Sequence, residues 1–366
     1  MKKNDIYVRT GTDYKKMTRE LLEEADLKSM ISKGSRIGIK PNLVSPSRAD
    51  FGATTHPELV AALIEYLQEH HFSDIVMLEG SWVGDKTEDA VRLCGYDEIS
   101  HAYGVPFLDM QKEKAVKVDC AGLELNIGKA AFDIDFMINV PVLKGHCQTK
   151  ITCALKNMKG LLPNSEKRRF HAMGLHKPIA HLAKVIPQNF ILVDNICGDL
   201  DFEDGGNPVV MNRIFAGRDP VLIDAYVCHL MHYEISDVPY ILMAEELGVG
   251  SSDISHANIR TDALDEEKPM PRSRKVVEVS DTVEEVDSCS ACYGYLIPAL
   301  DRLRQEGLLD KLNDKICIGQ GYRKKKGKLG IGHCTSEFCF HLEGCPPVEN
   351  DVYHFLKNYI IGNTPD

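Results

Sequence analysis

Long apolar runs are missing from this 366-residue chain. No stretch approaches 18 uncharged apolar residues, so no membrane span is expected. Positive charge is also in deficit: 43 Lys and Arg against 54 Asp and Glu leave a formal net charge of −11. A dedicated nucleic-acid or anionic-membrane binder needs a basic face, so neither partner is expected. The local exception, Arg323-Lys324-Lys325-Lys326-Gly327-Lys328, reads first as a solvated loop and second as an anion or partner site. A Gly-x-Gly-x-x-Gly fingerprint is absent, which argues against a standard dinucleotide site. No secretory apolar stretch follows Met1-Lys2-Lys3-Asn4-Asp5. Twelve cysteines without such a leader point to reduced thiols in the cytoplasm rather than to a disulfide scaffold.

The chain does have the material for cores, with 43% apolar residues, and a length that predicts about two domains of roughly 150 residues each. Its N-terminal two-thirds alternates strand-like and helix-like segments. Strands are predicted at Arg36–Lys40, Asp74–Leu78, Val105–Leu108, Phe136–Leu143 and Phe190–Val193. Helices are predicted at Leu59–Leu67, Asp85–Leu93, Ile151–Met158, Ile179–Val185 and from Asp219-Pro220 through His229. Thr54-Thr55-His56-Pro57 reads as a helix start, with a hydroxyl cap and a proline in the first turn. This alternation implies an α/β fold: a doubly wound, mostly parallel sheet. A composition shift over Asp262–Arg274 marks a linker and sets the boundary near residue 270. Residues 1–270 then form the α/β domain, and 271–366 a smaller C-terminal α/β cysteine-rich domain with β runs at Lys315–Gly319 and Leu329–Gly332 and a helix at Asp351–Ile360.

Six cysteines crowd into that C-terminal region with the spacing C-x2-C-x24-C-x16-C-x4-C-x5-C, the last in Gly344-Cys345-Pro346-Pro347. Cys289 and Cys292 open the apolar run Tyr293–Leu303, where helix N-terminal amides and the helix dipole favour thiolates. Four thiolates suit a [4Fe–4S] cluster, with zinc as the alternative. Only one Cys-x-x-Cys pair is present, and a Cys-Pro turn is common around iron–sulfur centres, so the cluster is the first expectation. The expected ligands are Cys289, Cys292, Cys334 and Cys345, with Cys339 a rival for the fourth place. Cys317, inside Ile316-Cys317-Ile318, reads as core, as do most of Cys94, Cys120, Cys147, Cys153, Cys197 and Cys228.

In an open parallel sheet, ligands bind beyond the carboxyl ends of the strands. Polar groups gather at several such ends here. Lys40 and Asn42 are followed by His56; Lys144 and His146 lead on to Lys156 and Asn157; Asp194 ends a further strand, and Glu79 another. His146, Lys144 and Glu79 are the candidate catalytic groups. Lys40, Asn42, His56, Lys156, Asn157 and Asp194 are the candidate cofactor- or substrate-binding groups. The lysines imply an anionic small molecule, and His146 or Glu79 a proton acceptor. Each of these residues could instead simply satisfy backbone at a buried loop end.

Five motifs in order carry a family resemblance: Lys40-Pro41-Asn42-Leu43, Thr55-His56-Pro57, Asn139-Val140-Pro141-Val142-Leu143-Lys144-x-His146, Leu155-Lys156-Asn157-Met158-Lys159-Gly160 and Ala216-Gly217-Arg218-Asp219-Pro220. They resemble the family called domain of unknown function 362 over about residues 35–230. The resemblance implies an iron–sulfur protein, although the C-x2-C-x2-C-x3-C-P repeat of many members is replaced here by the dispersed cysteines. A fainter similarity in Val140–Pro163 is to the nickel-pincer lactate racemases. It would give His146 a catalytic role and Lys156 or Lys159 a cofactor-holding one.

These readings predict an iron–sulfur protein whose cluster serves redox chemistry or electron transfer, with a possible redox partner protein and an anionic small molecule in the α/β crevice. The alternatives are a non-redox isomerase or racemase using His146 as base, with structural metal, and a metallochaperone or regulatory metal-binding protein.

Overall fold

The structure is a computed structural model that describes residues 1–262, 269–273 and 275–362. It divides into two compact units, Met1–Lys167 with Leu175–Arg272, and Arg168–Gly174 with Ser273–Asp366. The linker read at Asp262–Arg274 lies partly outside the described residues.

In the first unit the chain runs through β1 (Asp5–Thr10), α1 (Tyr14–Ala25), β2 (Ile37–Pro41), α2 (Pro57–Glu69) and β3 (Ile75–Glu79). Helices α3 (Thr87–Leu93) and α4 (Tyr96–Tyr103) lead to β4 (Phe107–Asp109), then to the hairpin β5 (Ala115–Cys120) and β6 (Leu123–Gly128). After β7 (Phe136–Val140) comes a second hairpin, β8 (Lys144–His146) and β9 (Lys150–Thr152), and the short helix α5 (Ala154–Asn157). Next are α6 (Asn164–Ala172), α7 (His176–Val185), β10 (Phe190–Asp199), β11 (Pro208–Gly217), α8 (Pro220–Leu230), α9 (Pro239–Glu246) and β12 (Asn258–Arg260).

Eight of these strands form one sheet in the order β12-β1-β11-β10-β7-β2-β3-β4. Strands β10, β7, β2, β3 and β4 are mutually parallel, and β11 runs antiparallel between β10 and β1. The chain winds outward from β2 through β3 to β4, then returns to the other side of β2 as β7. The winding therefore reverses between β2 and β7, where Lys40 pairs in register with Asn139. Alternation along the strands divides the two faces. Ile37, Ile39, Met77, Ile138 and Leu192 join a core with α1 and α2, including Leu21, Leu22, Leu63 and Leu67. Gly38, Lys40 and Asn139 alternate with these residues and belong to the opposite face.

Local readings are corrected in two places. Ile151, Leu155 and Met158 have helical spacing, but Lys150–Thr152 is a strand paired with Lys144–His146, and the helix begins only at Ala154. The hydroxyls before Pro57 do not cap α2, whose N-cap His56 makes no capping bond. Thr55 instead donates to the Val140 carbonyl and accepts from the Asn42 amide, tying the β2 loop to β7. Asp219 does cap α8, accepting from the amides of Val221 and Leu222. The scattered cysteines, Cys94, Cys120, Cys147, Cys153, Cys197 and Cys228, are all buried. Among the described residues no helix is long and apolar enough to cross a membrane.

The second unit contains α10 (Lys275–Ser280), β13 (Val283–Glu285), α11 (Ser290–Gln305), β14 (Ile316–Ile318), β15 (Leu329–Ile331), β16 (Phe340–Leu342) and α12 (Glu349–Gly362). Its four strands form an all-parallel sheet in chain order, β13-β14-β15-β16. Leu296, Ile297, Leu300 and Leu303 of α11 and Val352 and Leu356 of α12 are buried with Ile316, Ile318, Leu329 and Ile331 of the sheet.

Candidate functional site

At the carboxyl edge of the large sheet the chain buries charge. Lys40 is fully enclosed and donates to Glu79 at 2.5 Å and to the Pro41 carbonyl at 2.9 Å. The other Glu79 oxygen accepts from the Gly80 amide at 2.7 Å. Burial lowers the hold of Lys40 on its proton, and the charge and hydrogen bond of Glu79 oppose that. Gly160 closes on the pair so tightly that a β-carbon there would lie 1.7 Å from Glu79 Oε1. Lys167 donates to the carbonyls of Gly80 and Ser81 at 2.8 and 2.6 Å, and burial brings its ammonium down to about 7.

Lys144 occupies a second such position. Its ammonium donates to the Ala53 carbonyl at 2.5 Å and the Glu203 carbonyl at 2.7 Å, and reaches Asn42 Oδ1 at 3.5 Å. An ammonium has three protons, so little donor capacity remains for an external anion. Burial brings this group down to about 8. His146 Nδ1 accepts from the amides of Gln148 and Thr149 at 3.0 and 3.2 Å. That assigns its proton to Nε2, which faces Glu203 Oε1 at 3.3 Å. In this tautomer the ring has no lone pair available as a base. His56 meets Asp194 Oδ2 twice, through its amide at 2.7 Å and Nδ1 at 2.8 Å. Burial works against the imidazolium, but the Asp194 charge and hydrogen bond outweigh it, and the His56 pKa is raised.

Lys156 differs from the other buried lysines. It donates to Thr152 Oγ1 at 3.0 Å, its one side-chain hydrogen bond given among the described residues. Burial, and next the charge of Lys159, push its pKa well down, while Glu203 pulls it up. Asn157 ties its helix to the switch point, donating to Asn139 Oδ1 at 2.7 Å and toward the Lys40 carbonyl at 3.3 Å. The structure thus gathers Lys40, Asn42, Glu79, Lys144, His146, Lys156 and Asn157 at one sheet edge. Most of their polar atoms bond one another or the backbone.

In the second unit, sulfur gathers at the corresponding edge of its own sheet. Cys289 and Cys292 follow the carboxyl end of β13, Cys334 follows β15 and Cys345 follows β16. Cys289 is the N-cap of α11. The His333 amide donates to the Gly344 carbonyl at 2.8 Å, fastening the Cys334 loop to the Cys345 loop. Gly332 and Gly344 have φ of +87° and +146°, and a β-carbon on Gly332 would touch Cys292 Sγ at 3.8 Å. The thiols feel one another. Burial first, then the charges of Cys334 and Cys345, push Cys289 up to about 11. Cys292 is raised by burial and by the charges of Cys289, Cys345 and Cys334. Arg323 bonds Cys334 and, with Arg168, offsets the negative charge there. Cys339 precedes β16 and bonds back to Gly327 ahead of β15, which places it at the amino edge of the sheet. Cys317, within β14, bonds Tyr322. Among the described residues no three His, Cys, Asp or Glu side chains are set to hold a single metal ion. The four thiols are neighbours rather than a closed ligand shell.

The profile of the family described as "Domain of unknown function (DUF362)" matches residues 37–229, more than half of the chain. The chain belongs to that family. The DUF362 span covers the switch point, the four buried lysines Lys40, Lys144, Lys156 and Lys167 and the β8–β9 hairpin, and stops short of most of the cysteine unit. A curated relative, the thylakoid-associated protein sll1697 of Synechocystis sp., is 24% identical over 239 residues, 63% of this chain and 74% of that protein. The lactate racemase apoprotein from Thermoanaerobacterium thermosaccharolyticum aligns over 63% of this chain and 57% of its own, at 15% identity and a TM-score of 0.43. A Thermotoga maritima protein aligns over 60% of each chain, at 15% identity and a TM-score of 0.39. The chain therefore spans less than two thirds of the solved structures it resembles.

Several charged residues of the DUF362 span escaped the sequence reading. Glu203 and Asp199 sit in Asp199-Leu200-Asp201-Phe202-Glu203-Asp204, which reads as a solvated acidic loop, yet both are buried. Asp199 accepts from the amides of Asp201, Phe202 and Asn207. Lys167 lies among polar residues that read as helix surface. Asp224 did leave a signal, as the one acid within Pro220–Leu230. It accepts from the amides of Ala154 and Leu155 at 2.7 and 3.1 Å, starting α5, and burial raises its pKa to about 7.

Proposed function

We propose that this DUF362 protein is an iron–sulfur protein in which Cys289, Cys292, Cys334 and Cys345 hold a [4Fe–4S] cluster. Its α/β unit would take a small anion at Lys156. One observation carries the reading: four thiols leave the carboxyl ends of three parallel strands and share one electrostatic neighbourhood. The donor set suits the group, since all four are sulfur and two arginines temper the charge of a thiolate-bound centre. When bound, such a centre supplies one-electron transfer. The chain's own residues shield it, orient the thiols through the glycine turns at Gly332 and Gly344, and offset its charge with Arg323 and Arg168. In the α/β unit, Lys156 binds the anion, Thr152 orients the ammonium, and His146 and Glu203 hold the adjoining loop.

Anaerobic purification followed by iron, sulfide and zinc analysis tests the reading. Brown protein with about four irons per chain is expected, and Cys345→Ala should lose most of that iron while Cys339→Ala and Cys197→Ala keep it. Equal iron in Cys345→Ala and Cys339→Ala would overturn the ligand choice. Colourless protein holding one zinc per chain would overturn the cluster and favour a structural metal.

A further inference from the structure

Next to the amino end of β10, one hydrogen bond from Asn139, lies a cleft of about 290 Å³ lined by Lys3, Lys184, Gln188, Asn189 and Arg218 among others. It opens where β1 and β10 begin and β11 ends. Its size is near the lower end of small-ligand pockets, roughly 300–1,000 Å³. Three of the side chains that line it are cations.

The decisive group is Gln188, 7% exposed, whose Nε2 is buried with no partner. The direction of that amide is forced by a relay of hydrogen bonds. Asn139 must present Nδ2 to the Ala154 carbonyl, since a carbonyl only accepts. The same Nδ2 lies 2.7 Å from Gln188, so the atom it meets must be Oε1, and the Gln188 NH₂ is turned away from the relay. Asn157, anchored by the carbonyls of Lys40 and Pro41, donates to Asn139 Oδ1 and fixes the other end. A second lining residue carries another orphan: Arg218 Nε is buried without a partner among the described residues, while Nη1 donates to the Met1 carbonyl at 3.4 Å. The nearby carboxylate, Asp219, is engaged by the amides of Val221, Leu222 and Ser251. The Asn189 carbonyl oxygen Oδ1 is likewise taken by the Met137 amide. What the cleft offers a ligand is N–H donors and positive charge.

We propose that this cleft binds the phosphate group of a small molecule, with Arg218 and Gln188 donating to its oxygens and Lys3 and Lys184 supplying counter-charge. An arginine Nε edge suits a tetrahedral oxyanion, and a buried unpaired donor is costly until an acceptor arrives. The cleft uses other side chains than the Lys156 edge, to which Asn139 and Asn157 link it, and it does not depend on any metal.

Isothermal titration of the full chain with inorganic phosphate, and separately with glycerol 3-phosphate, tests it at low ionic strength. Saturable binding at the cleft is expected in addition to any at Lys156, and the Lys156→Gln background isolates it. In that background Arg218→Gln should weaken it about tenfold and Lys184→Gln about threefold, whereas Lys117→Gln, an exposed lysine on the β5–β6 hairpin, should leave it unchanged. Tighter binding of glycerol 3-phosphate identifies an esterified ligand, and equal or weaker binding identifies free phosphate. Gln188→Leu, checked for folding by circular dichroism, should weaken binding about fivefold. Because Lys184 lies at the surface, its variant decides the matter even if Gln188→Leu fails to fold. Wild-type affinity in both Arg218→Gln and Lys184→Gln, or no saturable binding of either probe, overturns the proposal. So does binding lost in Lys156→Gln and kept in Arg218→Gln.

Discussion

Glu79 shows how a residue that reads as catalytic can be fully committed to structure. Both its oxygens are engaged, one by Lys40 and one by the Gly80 amide, under the backbone of Gly160. Removing one partner of a buried ion pair leaves the other charge uncompensated, which costs about 3–5 kcal/mol. Glu79→Gln is therefore expected to lower the urea-unfolding free energy by about that amount, and the double variant Lys40→Met with Glu79→Leu should recover most of it. A loss below about 1 kcal/mol in Glu79→Gln would mean the pair does not exist as ions. The same logic distinguishes Lys144 from Lys156. Both end a polar motif in the sequence, but two backbone carbonyls hold Lys144, and one hydroxyl holds Lys156. No local pattern reports that difference, because the partners of Lys144 lie 91 and 59 residues away.

At the scale of elements, the hairpin β8–β9 is shaped by backbone pressed on backbone. A β-carbon on Gly145 would lie 2.2 Å from the Leu200 carbonyl oxygen, and one on Gly198 would lie 2.2 Å from that of Leu143. Neither glycine has positive φ, so alanine is resisted by crowding alone. Gly→Ala at a compatible position usually stabilises by about 0.4–1 kcal/mol through the unfolded chain. Gly198→Ala should do the opposite, lowering the midpoint of thermal unfolding and separating Lys144 from the Glu203 carbonyl. A midpoint equal to or above wild type would show that the two segments part without cost. This hairpin was invisible in the sequence: Ile151, Leu155 and Met158 repeat at helical spacing, and a three-residue strand is too short to show a period of its own. The cysteine edge was more legible. Cys289 and Cys292 open a predicted helix, Cys345 lies in a predicted turn and Cys334 follows a predicted strand, while the parallel pairing of β15 with β16 is what sends Cys334 and Cys339 to opposite edges.

For the molecule as a whole, buried lysines tie stability to pH. Lys167 has a folded-state pKa near 7 against an ordinary 10.5. Between those values the unfolded chain binds more protons than the native one, so native stability rises with pH over that window. Lys167→Met removes the titrating group. The stability of wild type relative to Lys167→Met should therefore be flat below about pH 7 and climb by roughly 1.4 kcal/mol per unit above it, levelling off near pH 10.5. Urea unfolding of both proteins at several pH values measures this, and parallel curves would show that Lys167 keeps an ordinary pKa. Asp224 works in the other direction: its folded pKa of about 7 stands above 3.8, and its contribution falls as pH rises from about 4 to 7.

The sequence by itself determined that strands alternate with helices, that the sheet is mostly parallel, and that polar groups collect at its carboxyl edge. Those features follow from hydrophobic periodicity and strand-end composition, which are written in neighbouring residues. The tertiary structure alone decided which charges neutralise one another, which thiols are neighbours, and that Gln188 and Arg218 keep unpartnered donors. Each of those outcomes depends on atoms that meet only when distant segments pack, and the hydrogen-bond capacity left over at the end is a property of the folded whole.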